Sequence, residues 1–198
     1  MSARLRMTVA EFLDWPGDGR AKRYQLIDGE VRAMALASPA HGMIGATLAR
    51  LIGNRLEQTK SPCLVVIAPG VVPRLRSDIN FRVPDLGVTC GEIKAGELML
   101  PDPVLLIEIL SPSNEADTRA NVWAYATIPS VREILIVHST QIAAELLRRQ
   151  PNDASGVPSR AGNWPETPEE IGPNGVLRLE TIDLTCPISA LYVGAHLA

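Results

Sequence analysis

Val104-Leu105-Leu106-Ile107-Glu108-Ile109-Leu110 is an apolar run broken by one carboxylate and bounded by Pro103 and by Ser111-Pro112. Such a run marks a strand covered on both faces. An unpaired ionised carboxylate there costs several kcal/mol or more, comparable with the whole stability margin of a domain. Glu108 therefore needs a partner. Phe81-Arg82-Val83-Pro84-Asp85-Leu86-Gly87-Val88-Thr89 reads as a second strand, on which Val83, Asp85 and Gly87 share a face, as Leu106, Glu108 and Leu110 do on the first. If the two strands are neighbours in register, Asp85 and Glu108 meet on one side of the sheet. Paired carboxylates repel unless they share a proton or a hard cation. Mg²⁺ (or Mn²⁺) suits such a pair, because it takes one or two carboxylates and keeps waters and phosphate oxygens.

The remaining composition narrows the class. The 198 residues are 46% hydrophobic and 21% charged, enough for one sizeable core, and no low-complexity linker divides them, so a single domain over 1–198 is expected. A net charge of −3 gives no strongly basic nucleic-acid-binding surface. Cys63, Cys90 and Cys186 lie far apart without C-x-x-C spacing, so they read as reduced, buried hydrophobes rather than a zinc site or a disulfide framework. The N-terminus lacks an apolar signal core and no run approaches the roughly 18 residues of a membrane span. A cytoplasmic protein with no membrane partner follows.

Thr8 with Glu11 forms a capping box for a short helix stopped at Pro16-Gly17. Asp28-Gly29 is a two-residue turn between strand-like runs, with Glu30 just after it. Ser38-Pro39 opens a long helix to about Gln58, whose buried stripe is Ile44, Leu48, Leu51, Ile52 and Leu56, with His41 on that same face. Leu64–Ile67 is a strand, and Cys90–Asp102 a loop. Asn114 caps a second helix through about Ala126, on which Asp117, Asn121 and Tyr125 form one row. Glu133–His138 is a buried strand with 143–149 as an edge strand beside it. The stretch 151–173 reads as a loop around Trp164; Val176–Leu179 and a short helix over 188–192 finish the chain. Helices covering a mixed central sheet give an α/β fold, with its core at about 38–138.

Val83-Pro84-Asp85, Glu108-Ile-Leu-Ser111-Pro112-Ser113, and Tyr125 with Ile128-Pro129-Ser130-Val131-Arg132-Glu133 resemble the Uma-two family of restriction endonuclease-like proteins. Tyr24-Gln25-Leu26-Ile27-Asp28-Gly29-Glu30 and Ser38-Pro39-Ala40-His41 fit the same family. The resemblance implies the PD-(D/E)XK nuclease fold: a restriction endonuclease-like core with an N-terminal helix and hairpin and a C-terminal extension. It places Asp85 and Glu108 at the metal-binding acidic positions, with His41 and Glu30 near the site. It implies a Mg²⁺-dependent endonuclease hydrolysing DNA phosphodiester bonds. The superfamily's lysine position is Leu110 here. The family's shifted position, on the following helix, is Asn121, which is left to orient water or phosphate without a charge. The alternatives are a nuclease-like domain without turnover that binds nucleic acid or a protein partner, or a structural dimer whose acids pair with Arg82 or Arg119. Trp123, Trp164 and the apolar C-terminus suit a homodimer.

Overall fold

In a computed structural model, residues 6–19, 23–112, 114–151, 163–195 and 197 are described. The chain runs α1 (Val9–Asp14), β1 (Tyr24–Ile27), β2 (Glu30–Ala33), α2 (Pro39–Gln58), β3 (Leu64–Ile67), β4 (Leu86–Thr89), β5 (Pro103–Leu110), α3 (Glu115–Ala126), β6 (Glu133–His138), β7 (Ala144–Arg148), β8 (Glu169–Ile171), β9 (Val176–Leu179) and β10 (Leu184–Pro187). Strands β3-β4-β5-β6-β7-β8 form one six-stranded sheet in that order. Its pairs are antiparallel apart from β5 with β6, where α3 provides the crossover between parallel neighbours.

The alternation of β5 decides what lies on each side of this sheet. Leu105, Ile107 and Ile109 face α2 and join Ile44, Leu48, Ile52 and Leu56 in one buried cluster. Leu106 and Leu110 face α3 and join Val122, Tyr125, Ile134 and Ile136 in another. Burying each such side chain is worth about 1.5–3 kcal/mol. Gly45 lets the first turns of α2 lie close on β5, since a Cβ there would stand 3.3 Å from Ile109 Cδ1. The caps follow the sequence: Thr8 and Glu11 make the capping box, and Ser38 Oγ accepts from the His41 N–H. The Asp28-Gly29 turn has φ values of 49° and 80°, the left-handed pair that a tight two-residue hairpin demands.

Several expectations need correction. Phe81–Thr89 is not one strand: only Leu86–Thr89 is, and Phe81 and Arg82 instead bridge Leu26 and Val71, extending the β1–β2 hairpin sideways. Pro84 separates the two pieces, having no N–H to continue a ladder. Cys63 and Cys90 are joined in a disulfide rather than reduced; they form the next pair beyond Leu64↔Thr89 on β3 and β4. Cys186 is free. Disulfides persist mainly in oxidising surroundings, so this bond pulls against the cytoplasmic expectation. Strand β7 is not at the edge, because β8 pairs outside it within what reads as loop. Residues 188–192 form a 3₁₀ helix, and Asn114 spends its side chain on the Ser111 N–H instead of capping α3. Trp164 is buried under Arg149 and donates to the Ala126 carbonyl, whereas Trp123 is half exposed. Only Trp123 of those two is open to a partner copy. No helix among the described residues is long and apolar enough to cross a membrane.

Candidate active site

The antiparallel register of β4 with β5, Leu86 opposite Ile107 and Gly87 opposite Leu106, brings Asp85 close enough to Glu108 for their charges to interact. One step further, that register sets Asp85 opposite Glu108. The backbone ladder has ended by then, and the Asp85 side chain replaces it: Oδ2 accepts the Ile109 N–H at 2.7 Å. The same oxygen lies 3.2 Å from His41 Nε2, delivered by the first turn of α2. Asp85 is thus clasped by a strand amide and a helix imidazole, and its side chain keeps 21% of its surface exposed. Oδ1 takes no donor from the described residues.

Glu108 is held differently. It is 5% exposed, on the α3 face of β5, and Oε1 accepts the Tyr125 hydroxyl at 2.6 Å and the Asn121 amide at 3.2 Å. These donors stand four apart on one face of α3, so the row Asp117, Asn121, Tyr125 brings two of its members onto the acid. Both donors are neutral. Oε2 takes none from the described residues. Burial, then the neighbouring Asp85 charge, push the Glu108 carboxyl up to about 8, against a usual 4.5; the two hydrogen bonds and the more distant Arg82 pull the other way. Burial and the facing Glu108 raise the Tyr125 phenol as well.

The remaining residues anticipated from the sequence divide. His41 and Asn121 reach the acids. Glu30 forms ion pairs with Arg6 and Arg32 at 3.6 Å each. Asp117 meets Arg32 at 3.7 Å. The arginines considered as partners for the acids are engaged elsewhere: Arg119 with Glu145, and Arg82 through Nη2 to Asn80 Oδ1 at 3.0 Å. A cavity of about 230 Å³ lined by His138, Glu145, Glu170 and their neighbours does not include Asp85 or Glu108. Sequence reasoning assigned no role to Tyr125, although its four-residue spacing from Asn121 was the available signal.

The two acids are the residues of this site that could hold a cation. Each carboxylate presents one oxygen without a donor from the described residues, and the Asp85 charge, which adds to burial in lifting Glu108, is what a cation between them would offset. Among the described residues no cluster of three or more His, Cys, Asp or Glu could hold a metal, so a four-ligand zinc centre does not fit. An ion that takes only two carboxylates and keeps several waters would not need such a cluster.

A six-stranded mixed sheet between α2 and α3, with acids at the β4–β5 end, is a restriction endonuclease-like architecture. The fold matches a crystal structure described as a "putative nuclease belonging to DUF820" from Anabaena variabilis ATCC 29413, with a TM-score of 0.72 over 94% of this chain and 98% of that one, at 16% identity. The chain belongs to the Uma2 family, described as "Putative restriction endonuclease", which it matches over residues 9–180. It is also 26% identical over 191 residues to an uncharacterized protein (slr1290) of Synechocystis sp. (strain ATCC 27184 / PCC 6803 / Kazusa), covering 96% of this chain and 93% of that protein.

Proposed function

We propose that the chain is a Mg²⁺- or Mn²⁺-dependent endonuclease that hydrolyses phosphodiester bonds of DNA, with Asp85 and Glu108 as its metal ligands. The observation that carries this reading is a carboxylate pair on facing strands, each with an uncommitted oxygen and neither bonded to an arginine or lysine. A bound divalent ion would lower the pKa of a coordinated water and offset charge developing on the phosphate. The chain's own residues prepare that position. The Ile109 amide and His41 fix the rotamer of Asp85; Tyr125 and Asn121 fix that of Glu108, leaving Oδ1 and Oε2 to face outward from their clasps. Asn121 spends its amide nitrogen on Glu108, and its Oδ1 is left to orient water.

One observation favours a second reading, a nuclease-like domain that binds DNA with little turnover. The superfamily's lysine position is Leu110, packed in the α3-side core, and Asn121 brings no charge. Titration of Mn²⁺ with wild-type protein and Asp85→Ala, followed by plasmid and single-stranded DNA cleavage, tests both. We expect binding to wild type, its loss in the variant, and cleavage only where metal binds. Metal binding without cleavage selects the second reading, and no binding in wild type removes both.

A further inference from the structure

Among the described residues Arg82 is the cation with the most buried donors left without a partner. It is 6% exposed, yet Nε and Nη1 have no hydrogen-bond partner, and only Nη2 is spent, on Asn80. A buried guanidinium with idle donors costs a good deal of free energy unless an oxygen reaches it. Two other buried atoms share this condition nearby: Gln25 Oε1 and Asn121 Oδ1, both acceptors.

Strand register places the three together. Gln25 pairs with Arg32, Leu26 with Phe81, and Val71 with Arg82. The Leu26–Phe81 register sets Gln25 opposite Arg82, so Arg32, Gln25, Arg82 and Val71 form one row across the strands, on one face. That row lies against α3. At one end Arg32 reaches Asp117, and at the other Val71 belongs to the same buried cluster as Tyr125. The middle of the strand row, Gln25 and Arg82, then faces the middle of the helix row, Asn121. The idle groups are complementary: two donors on Arg82 and two acceptors, on Gln25 and Asn121. That is the valence of one water, which accepts from one side and donates to the other.

We infer that Arg82, Gln25 and Asn121 form a buried site for one water beside Glu108, and that Arg82 is the positioning cation of the active centre. The inference rests on the metal-dependent reading above for its catalytic part, and on the orphaned atoms alone for the water. Other cations around the acids are taken: Arg32 by Asp117 and Glu30, Arg119 by Glu145 and Glu115. Burial depresses the Arg82 guanidinium, while Tyr125, Asp28 and Asp117 support its charge and Arg32 opposes it. It stays cationic and fixed, a charge held in place before substrate arrives.

A high-resolution crystal structure of the metal-free protein reads the water directly. We expect an ordered oxygen within hydrogen-bond reach of Arg82 and of Asn121 or Gln25; direct bonding of Arg82 to Glu108, or its rotation into solvent, overturns the site. Arg82→Met and Arg82→Lys, confirmed folded by thermal melting, read the role. Losing the cation should tighten Mn²⁺ binding severalfold while cleavage falls on the order of 10²-fold in kcat with KM little changed. Arg82→Lys should recover part, and Asn121→Lys placed in the Arg82→Met protein should recover more. An arginine that only fills space would change Mn²⁺ affinity and cleavage in step with melting temperature, and the added lysine would rescue nothing. Failure of wild type to bind Mn²⁺ sinks the metal reading, whereas equal Mn²⁺ affinity in wild type and Arg82→Met sinks the role of Arg82 alone.

Discussion

Glu108 and Glu145 are two buried glutamates on the same sheet, and they are treated in opposite ways. Glu145 accepts both ends of the Arg119 guanidinium and lies 2.9 Å from His138 Nε2. Those bonds, led by Arg119, hold its carboxyl below the usual range although burial opposes them. Glu133 resembles it: 1% exposed, it accepts Arg148 Nε at 3.0 Å and the backbone N–H groups of Glu180 and Thr181 at 3.1 and 2.9 Å. Glu108 has neither arginine nor backbone donor, only a phenol and an amide. A structural acid is given its counter-charge by the fold, and Glu108 is left wanting one. That contrast, on a single sheet and under similar burial, separates the candidate ligand from its neighbours more sharply than burial does.

The comparison is open to direct attack. The largest effect should come from metal binding: Glu108→Gln should lower Mn²⁺ affinity and any cleavage by at least about 10²-fold, while Glu145→Gln leaves both unchanged in calorimetry and plasmid assays. Stability should reverse the order. Glu133→Ala takes the acceptor from two backbone amides and the nearest carboxylate from Arg148, and urea denaturation should show a loss of about 3 kcal/mol. Glu145→Gln should cost no more than about 1 kcal/mol, because Arg119 is partly exposed and screened.

Acidity distinguishes the two residues again. In the metal-free protein Glu108 titrates near 8 when folded and near 4.5 when unfolded. Between those values the folded state keeps a proton that the unfolded state has released, so this residue makes stability fall as pH rises from about 4.5 to about 8. Melting temperatures of Glu108→Gln and wild type should therefore agree near pH 4, separate in the variant's favour as pH rises from about 4.5 to about 8, and stay apart above that. Glu145 has the opposite sign: its lowered carboxyl contributes stability at neutral pH that disappears on acidification below its usual range. The smallest effect should be Tyr125→Phe, which removes one donor to Glu108 at a cost of about 1 kcal/mol in urea denaturation.

Much of this was legible in the chain itself. A glutamate inside an apolar seven-residue run announces a carboxylate on the inner face of a buried strand, and the caps at Thr8 and Ser38 fixed where α1 and α2 begin. The four-residue row on α3 was visible, and the structure lands Asn121 and Tyr125 from it on Glu108. What was not visible depended on register between distant segments. The split of Phe81–Thr89 at Pro84 goes with Phe81 pairing to Leu26 and Arg82 to Val71, which no local pattern reveals. The Cys63–Cys90 bond needs Leu64 to face Thr89, again a pairing between strands. The idle nitrogens of Arg82 required both a register and an inventory of neighbours.

Because the Asp85 side chain stands in for a missing strand partner at Ile109, one amide proton is pinned by the residue proposed to grip the ion. That proton is a gauge built into the sheet. A ligand drawing on Asp85 should stiffen the clasp and slow solvent exchange at Ile109, while the amides of β6 keep their rates. Occupancy of the centre is thereby written into the backbone of the strand beside it, readable by magnetic resonance without any substrate.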